Sequence, residues 1–413
     1  MKIKKHHTPT PGVLCRALAI ASLLVVSSAL DTTWYISPSG SDSNSGTQSS
    51  PWRTIEKAQS AAASGDTIIC RGGTYSDHTV NSSDSTYNYV HTISKSLTIS
   101  AYSGETPVFN FSGTSTSLRP VGFYIKTGGV TFNWIQSTGI PVGSQKLAVN
   151  FYVYGSAASC TFNYCVAHDS QGNGFYFENH STGACNFCDA YNNQGTGSSV
   201  GNCDGFGLHG NGVTVSHCRS WSNSDDGYDC INSYGANTFD HCWSYNNGVG
   251  GGDGNGFKIG GWGCSGGSYP NPPPVHSVSY CLSAQNYSHG FYANHQPGQA
   301  ANWSHNTSYN NSSADFDMLE GNDSSSSGCS VAGTREVMHY NLAYKGTLTA
   351  DLNESGSLVS NNTWTSGITP SDSDFSSTTA SQMTTARPSG GNLPTITFMH
   401  PVSGSKCVGY GCF

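Results

Sequence analysis

Charge is what this sequence has least of: Asp, Glu, Lys and Arg together make up only 10% of its 413 residues. Disordered chains are usually highly charged and poor in aromatics. This one carries 22 Tyr, 17 Phe and 8 Trp, so its polarity comes from Gly, Ser, Thr and Asn rather than from an unfolded, charged chain. Basic residues are scarcest in the middle, where Arg219 and Lys258 are the only Lys or Arg between Leu147 and Thr334. Apolar runs long enough for a membrane are missing too: Ala17–Val26 is ten residues, against the roughly 20 that a spanning helix needs. That run follows Lys2, Lys4, Lys5 and Arg16 and precedes the small residues Ser27-Ser28-Ala29. This is the pattern of a secretory signal over residues 1–29, with a single domain expected over 30–413 and no membrane attachment after cleavage.

Loss of that leader would leave 13 basic against 25 acidic residues, a net charge of −12. Such a surface repels nucleic acid and anionic membrane, and an acidic substrate would need a bridging cation. Fourteen cysteines would remain, an even number in an oxidising compartment, where disulfides are expected. Cys407 and Cys412 are close enough in sequence to pair locally. A monomer is expected.

What is present is a repeat. Cys165-Val-Ala-His-Asp-Ser, Cys188-Asp-Ala-Tyr-Asn-Asn, Cys218-Arg-Ser-Trp-Ser-Asn, Cys242-Trp-Ser-Tyr-Asn-Asn, Cys281-Leu-Ser-Ala-Gln-Asn and Asn306-Thr-Ser-Tyr-Asn-Asn follow one another at 23, 30, 24, 39 and 25 residues. Each continues into a Gly-aromatic pair (Gly174-Phe175, Gly205-Phe206, Gly227-Tyr228, Gly256-Phe257, Gly290-Phe291), with Asp315-Phe316 as a variant. A unit of about this size, with insertions at one place and no helical period, suits an all-β right-handed parallel β-helix, a single-stranded solenoid. The segment Ile55–Ala62 has helical spacing and predicts a short N-terminal capping helix. Leu393–Met399 reads as a strand packing back on the coil.

Equivalent positions of neighbouring coils then stack roughly 4.8 Å apart. The units predict an asparagine column (Asn193, Asn223, Asn247, Asn286, Asn311), an aromatic column (Tyr191, Trp221, Tyr245, Tyr309) and a cysteine column. The cysteines are most simply buried packing, with stacked disulfides as the alternative; a spacing of one per coil is unlike the paired ligands of zinc sites.

The same stacking places chemistry. Alternate strand residues face opposite sides, so with Phe257 and Ile259 inward Lys258 faces out, as does Asp229, its equivalent one coil earlier. Two residues before each aromatic stand Asn173, Asp204, Asp226, Asn255 and His289. Asp204, Asp225, Asp226 and Asp229 are therefore expected to gather over two coils beside Lys258. Four such carboxylates repel by on the order of a kcal/mol per pair even at high dielectric and call for a cation. Calcium accepts many oxygen ligands in irregular geometry, whereas magnesium keeps its waters. The plainer readings are Asp-Gly turns and a Lys258–Asp229 salt bridge.

The Asp225-Asp226-Gly227-Tyr228-Asp229 motif, followed by Gly254-Asn255-Gly256-Phe257-Lys258, resembles polysaccharide lyase family nine, the β-helical pectate lyases. The similarity extends to Trp34–Gly46, Gly65–Tyr75, Cys203-Asp204-Gly205-Phe206, Asp374-Phe375 and Leu393–Phe398. The resemblance implies calcium held by Asp204, Asp225, Asp226 and Asp229. It further implies Lys258 as the base of a β-elimination on polygalacturonate (pectin). The loops Gly195–Gly201 and Cys264–Pro274 depart from the family. Three other readings compete: a glycoside hydrolase working with two carboxylates, although the Arg-Ile-Lys motif of polygalacturonases is absent; another uronan lyase or epimerase; and a non-catalytic cell-wall polysaccharide-binding protein.

Overall fold

The computed structural model describes residues 1, 31–143, 146–261, 270, 274–294, 301–318, 336–350 and 357–413. All but the first residue of the expected leader lies outside them. Thr32–Phe413 form one compact unit. Among the described residues the strands fall into three sheets of 12, 10 and 11 strands, here called sheets I, II and III. All the pairings between these strands are parallel except that of Ser82–Ser83 with Tyr87–Ile93. Each coil visits the three sheets in turn: Thr182–Asn186 lies in sheet I, Asp189–Tyr191 in sheet II and Phe206–Leu208 in sheet III, before Val213–Ser216 begins the next coil. This is the expected β-helix.

The repeat motif records how the chain turns its corners. Between sheets I and II a single residue takes left-handed backbone angles: Tyr164, Phe187, His217, His241, Tyr280, His305 and Tyr340 all have φ between 54° and 59° or within a degree of it. A non-glycine residue there is strained, and stacking of the ring on those above and below offsets the strain: Tyr164, Phe187, His217 and His241 follow one another at 5.0, 4.8 and 4.9 Å. The cysteine comes next and turns inward. After sheet II the first asparagine of the Tyr-Asn-Asn motif makes the second corner (Asn192, Asn246 and Asn310, φ 52–54°). The second asparagine points in and forms the predicted ladder, the side-chain oxygens of Asn223, Asn247, Asn286 and Asn311 each accepting from the backbone N–H one coil back, as from Asn193 to Asn223 at 3.1 Å and from Asn223 to Asn247 at 3.1 Å. Buried backbone groups that no strand pairs with are satisfied in this way.

Glycine before the aromatic has an equally local cause. A Cβ at Gly205, Gly227 or Gly256 would run into the hydroxyl of Ser220, Ser244 or Ser283 and the next coil's glycine carbonyl. The ring that follows enters an interior stack beneath sheet III: Phe175, Phe206, Tyr228, Phe257 and Phe291 lie 5.0, 5.0, 4.6 and 5.0 Å apart in sequence. The capping helix is Ile55–Ala61, with the Thr54 hydroxyl accepting from the Lys57 N–H, and it buries Ile55 and Ala58.

Four expectations change. Insertions occur at both corners flanking sheet III rather than at one: between Tyr191 and Phe206, and between Lys258 and His276. The aromatic column is broken, because Ala284 stands between Tyr245 and Tyr309. None of the twelve described cysteines is in a disulfide, Cys407 and Cys412 included. The stacked thiols donate instead to carbonyls, as Cys218 does to Cys185 at 3.2 Å, and they serve as core. Leu393–Met399 packs back but forms no strand of the sheets, since the N–H groups of Thr397 and Phe398 donate to the Gln382 side chain. Ile396, Phe398 and Met399 are buried with Leu282, Tyr309 and Leu342 on sheet II.

The tail is also held by charge. Buried Asp189 receives Arg219 at 2.9 and 2.6 Å and Arg387 at 2.8–3.1 Å. Burial pushes the Asp189 carboxyl up, but the two guanidiniums outweigh it and hold it below the usual range. A depressed carboxyl stabilises the fold above its unfolded pKa of ~3.9 and loses that contribution as pH falls through the folded value. Asp189→Asn would leave two arginines without their carboxylate, at a cost of about 3–5 kcal/mol. Its melting temperature is expected to fall, and scanning calorimetry near pH 7 and near pH 3 should show the gap from the wild type narrowing at the lower pH.

Candidate active site and metal centre

Sheet III carries one outward column that runs Tyr124, Tyr152, Tyr176, Gly207, Asp229, Lys258, Tyr292 through successive coils. Asp229 and Lys258 are paired in register on adjacent strands, as the alternation of Tyr228, Cys230, Phe257 and Ile259 into the core requires. Gly207 leaves the space that the Tyr176 ring occupies.

Just before these strands runs a second ladder, made of the residues two positions ahead of each aromatic. Asn173 Oδ1 accepts the Asp204 N–H (2.8 Å), Asp204 Oδ1 that of Asp226 (3.1 Å), Asp226 Oδ1 that of Asn255 (2.7 Å), and Asn255 Oδ1 that of His289 (3.3 Å). Asp225 Oδ1 accepts the Asp253 N–H at 2.7 Å and Asp229 Oδ1 that of Ile231 at 2.7 Å. Each carboxylate thus gives one oxygen to the backbone, which fixes its orientation. Asp226 Oδ2, fully buried, accepts no hydrogen bond; its near neighbour is Lys258 Nζ at 3.1 Å.

The structure brings all five predicted residues together. Oxygens of Asp204, Asp225 and Asp226 lie within 4.8 Å of one another, and those of Asp204 and Asp229 do so with a His209 nitrogen. Lys258 Nζ stands 3.1 Å from Asp226, 3.4 Å from Asp229 and 2.8 Å from Asp253. The salt-bridge reading of Lys258 is therefore correct as far as it goes, with two more carboxylates than expected. Asp253 is the member that sequence reasoning passed over. It sits five residues before Lys258 in a Gly-rich loop, where Asp-Gly reads as a turn, and the loop folds back so that the Gly252 N–H reaches the Ser224 carbonyl.

Burial and mutual repulsion dominate the electrostatics. Burial, then the charge of Asp225, pushes the Asp204 carboxyl well up. Burial and Asp226 raise Asp225 to about 8, and burial raises Asp226 to about 7 despite Lys258. Burial alone would lower the Lys258 amine, but Asp229, Asp226 and Asp253 carry it above its usual value. His209 is pushed down by burial and is neutral near pH 7. Buried carboxylates that are this costly to ionise, prefixed by backbone hydrogen bonds and including an orphaned oxygen, fit a hard dication such as calcium, whose ligands are oxygens in irregular number. The Lys258 amine, sharing the cleft, is placed to exchange a proton with a bound ligand. The cleft encloses ≈ 360 Å³, and its walls include Arg119, Tyr176, Asn202, His209, Asp229 and Lys258. Of the two divergent loops, Gly195–Gly201 runs into the short helix Gly197–Asn202 beside this cleft, and of Cys264–Pro274 only residues 270 and 274 are among the described residues.

The family model described as the Pel9A-like, right handed beta helix region matches residues 34–335. The chain is 28% identical to pectate lyase L of Dickeya chrysanthemi over 393 residues, 92% of this chain and 85% of that one. Among solved structures, a rhamnogalacturonan lyase superposes with a TM-score of 0.82 at 28% identity, covering 92% of this chain and 99% of its own. Pectate lyase Pel9A superposes with a TM-score of 0.74 at 24% identity, covering 92% and 91%.

Proposed function

The chain belongs to the family of Pel9A-like right-handed β-helix proteins, and from that premise we propose that it is a secreted, calcium-dependent polysaccharide lyase acting on polygalacturonate. The observation that carries this reading is the placement of Lys258 Nζ within 3.4 Å of both Asp226 and Asp229 at the centre of one cleft. A hydrolase would instead need a carboxyl acid and a separate carboxylate base or nucleophile, and here each buried aspartate gives an oxygen to a backbone N–H, with Asp226 and Asp229 also facing the lysine.

Asp204, Asp225, Asp226 and Asp229 would hold the calcium. Bound there, the ion would offset the charge of the uronate carboxylate and so make the C5 proton more acidic. With the aspartate charges that raise the Lys258 amine offset by the cation, the amine would be neutral and free to take that proton; the electron pair left at C5 forms the C4–C5 double bond, and the C4–O bond breaks, its oxygen leaving with a proton from solvent. Asp253 holds the amine against the acidic wall from the solvent side. The cleft residues Asn202, Tyr176 and His209 offer neutral hydrogen-bonding groups to sugar hydroxyls. A second reading is favoured by the match to the rhamnogalacturonan lyase: the same elimination on a uronate within a mixed backbone.

The test is release of unsaturated uronide, followed by its near-ultraviolet absorbance, on polygalacturonate and on rhamnogalacturonan. The proposal expects absorbance to rise on polygalacturonate, to stop with a chelator and to return with added calcium. Reducing ends formed without absorbance would identify a hydrolase, and binding without either product would identify a non-catalytic wall protein.

A further inference from the structure

The cleft that holds Lys258 also holds Arg119, a cation with no anionic partner among the described residues. Arg119 opens the strand Arg119–Ile125 of sheet III, four coils before Tyr228–Asp229 and five before Phe257–Lys258. At about 4.8 Å per coil the Arg119 and Lys258 backbones stand roughly 24 Å apart along the axis, yet both side chains line the same cleft.

The surroundings of Arg119 leave its guanidinium uncommitted. Arg71, Arg219 and Arg387 each meet a carboxylate at 2.6–2.8 Å, whereas among the described residues none lies within ion-pair distance of Arg119. Its Cζ lies 5.6 Å from the centre of the Tyr87 ring, its Nη1 is 3.4 Å from the Tyr87 hydroxyl, and its Nε is buried without a partner. The acidic group lining this stretch, Glu178, is engaged by the Tyr152 hydroxyl at 2.5 Å. Elsewhere the cleft is acidic, and the amine of Lys258 is already shared by three carboxylates. A guanidinium is a planar fork suited to a carboxylate.

We infer that Arg119 forms a distal subsite that binds the carboxylate of a uronate several sugars from the bond that is broken, with the Tyr87 ring beside it and the Tyr176 ring further along the cleft as surfaces on which the sugars lie. This rests on the proposed uronan substrate and deepens it: the enzyme grips a run of charged sugars along sheet III, so that affinity grows with chain length.

The experiment is titration calorimetry with saturated oligogalacturonates in excess calcium, in the Lys258→Ala background so that ligand persists, comparing Arg119, Arg119→Gln and Arg119→Lys. Hexagalacturonate is expected to bind about tenfold more weakly to Arg119→Gln, with Arg119→Lys recovering part of the loss and the melting temperature unchanged. Digalacturonate, too short to reach, and fully methyl-esterified hexagalacturonate, without charge, are expected to bind all three proteins alike. Equal hexamer affinity for Arg119 and Arg119→Gln, an equal loss with the dimer or the ester, or no hexamer binding to any form would overturn the inference. Turnover of polygalacturonate by the wild type is scored separately. Turnover with no Arg119 effect removes the subsite alone, and an Arg119 effect without turnover removes the lyase reading and leaves the subsite.

Discussion

Lys258→Ala protein is expected to lose between about a hundredfold and ten-thousandfold of its turnover on polygalacturonate, the range that a positioned general base contributes, while remaining folded. Lys258 faces the cleft from a strand whose inward neighbours, Phe257 and Ile259, carry the packing, so the core is untouched. In calcium the melting temperature should stay within a few degrees of the wild type. With a chelator the variant should be the less stable protein, because Asp226, Asp229 and Asp253 lose their shared cation, and an unpaired buried charge is costly. Initial rates and melting curves with and without calcium check both halves. A variant with wild-type rates would reduce Lys258 to the structural salt bridge that its neighbours also permit.

Asp226→Asn should separate metal binding from proton transfer. Asp226 is wholly buried, and its Oδ1 already accepts the backbone and side-chain amides of Asn255 at 2.7 and 2.9 Å. The asparagine oxygen can keep those contacts, so the ladder survives. What is lost is the charge at Oδ2, the oxygen with no hydrogen bond. Calcium affinity follows the number of charged ligands, so it is expected to fall by about tenfold or more, with activity recovering as calcium is raised. Calcium titrations read by calorimetry and by initial rate should shift together. Activity lost at every calcium concentration with affinity unchanged would place Asp226 in the proton chemistry.

Much of this was legible in the sequence because a β-helix turns sequence spacing into spatial columns. The Cys-to-Asn unit and its Gly-aromatic sequel mark the same corner in each coil, so one register assignment placed Asp204 over Asp226 and Asp229 over Lys258 without any knowledge of side-chain contacts. Period-2 alternation then decided which of them faced the cleft. What failed depended on contacts the register does not carry. Asp253 reaches Lys258 through a loop whose path is set by glycines and by hydrogen bonds to Ser224 and Asp225. The two insertion corners could not be told apart, since a longer spacing between cysteines says nothing of which corner was lengthened. The cysteines suggested disulfides by number, but the described thiols are free and buried, and those of the stacked column donate to backbone carbonyls. The tail packs back as expected, yet Gln382 takes the N–H groups that a strand would have paired.

Elimination by this route requires a calcium ion, a uronate and the Lys258 amine to meet at the junction of three coils. The most direct measurement is a crystal structure of Lys258→Ala protein with calcium and an oligogalacturonate, with the ion located by its anomalous scattering. The expected result is an ion within about 2.3–2.6 Å of oxygens from Asp204, Asp225, Asp226 and Asp229, and a sugar whose C5 faces the space vacated by the amine. An ion bound elsewhere, or a sugar whose C5 lies away from residue 258, would contradict it.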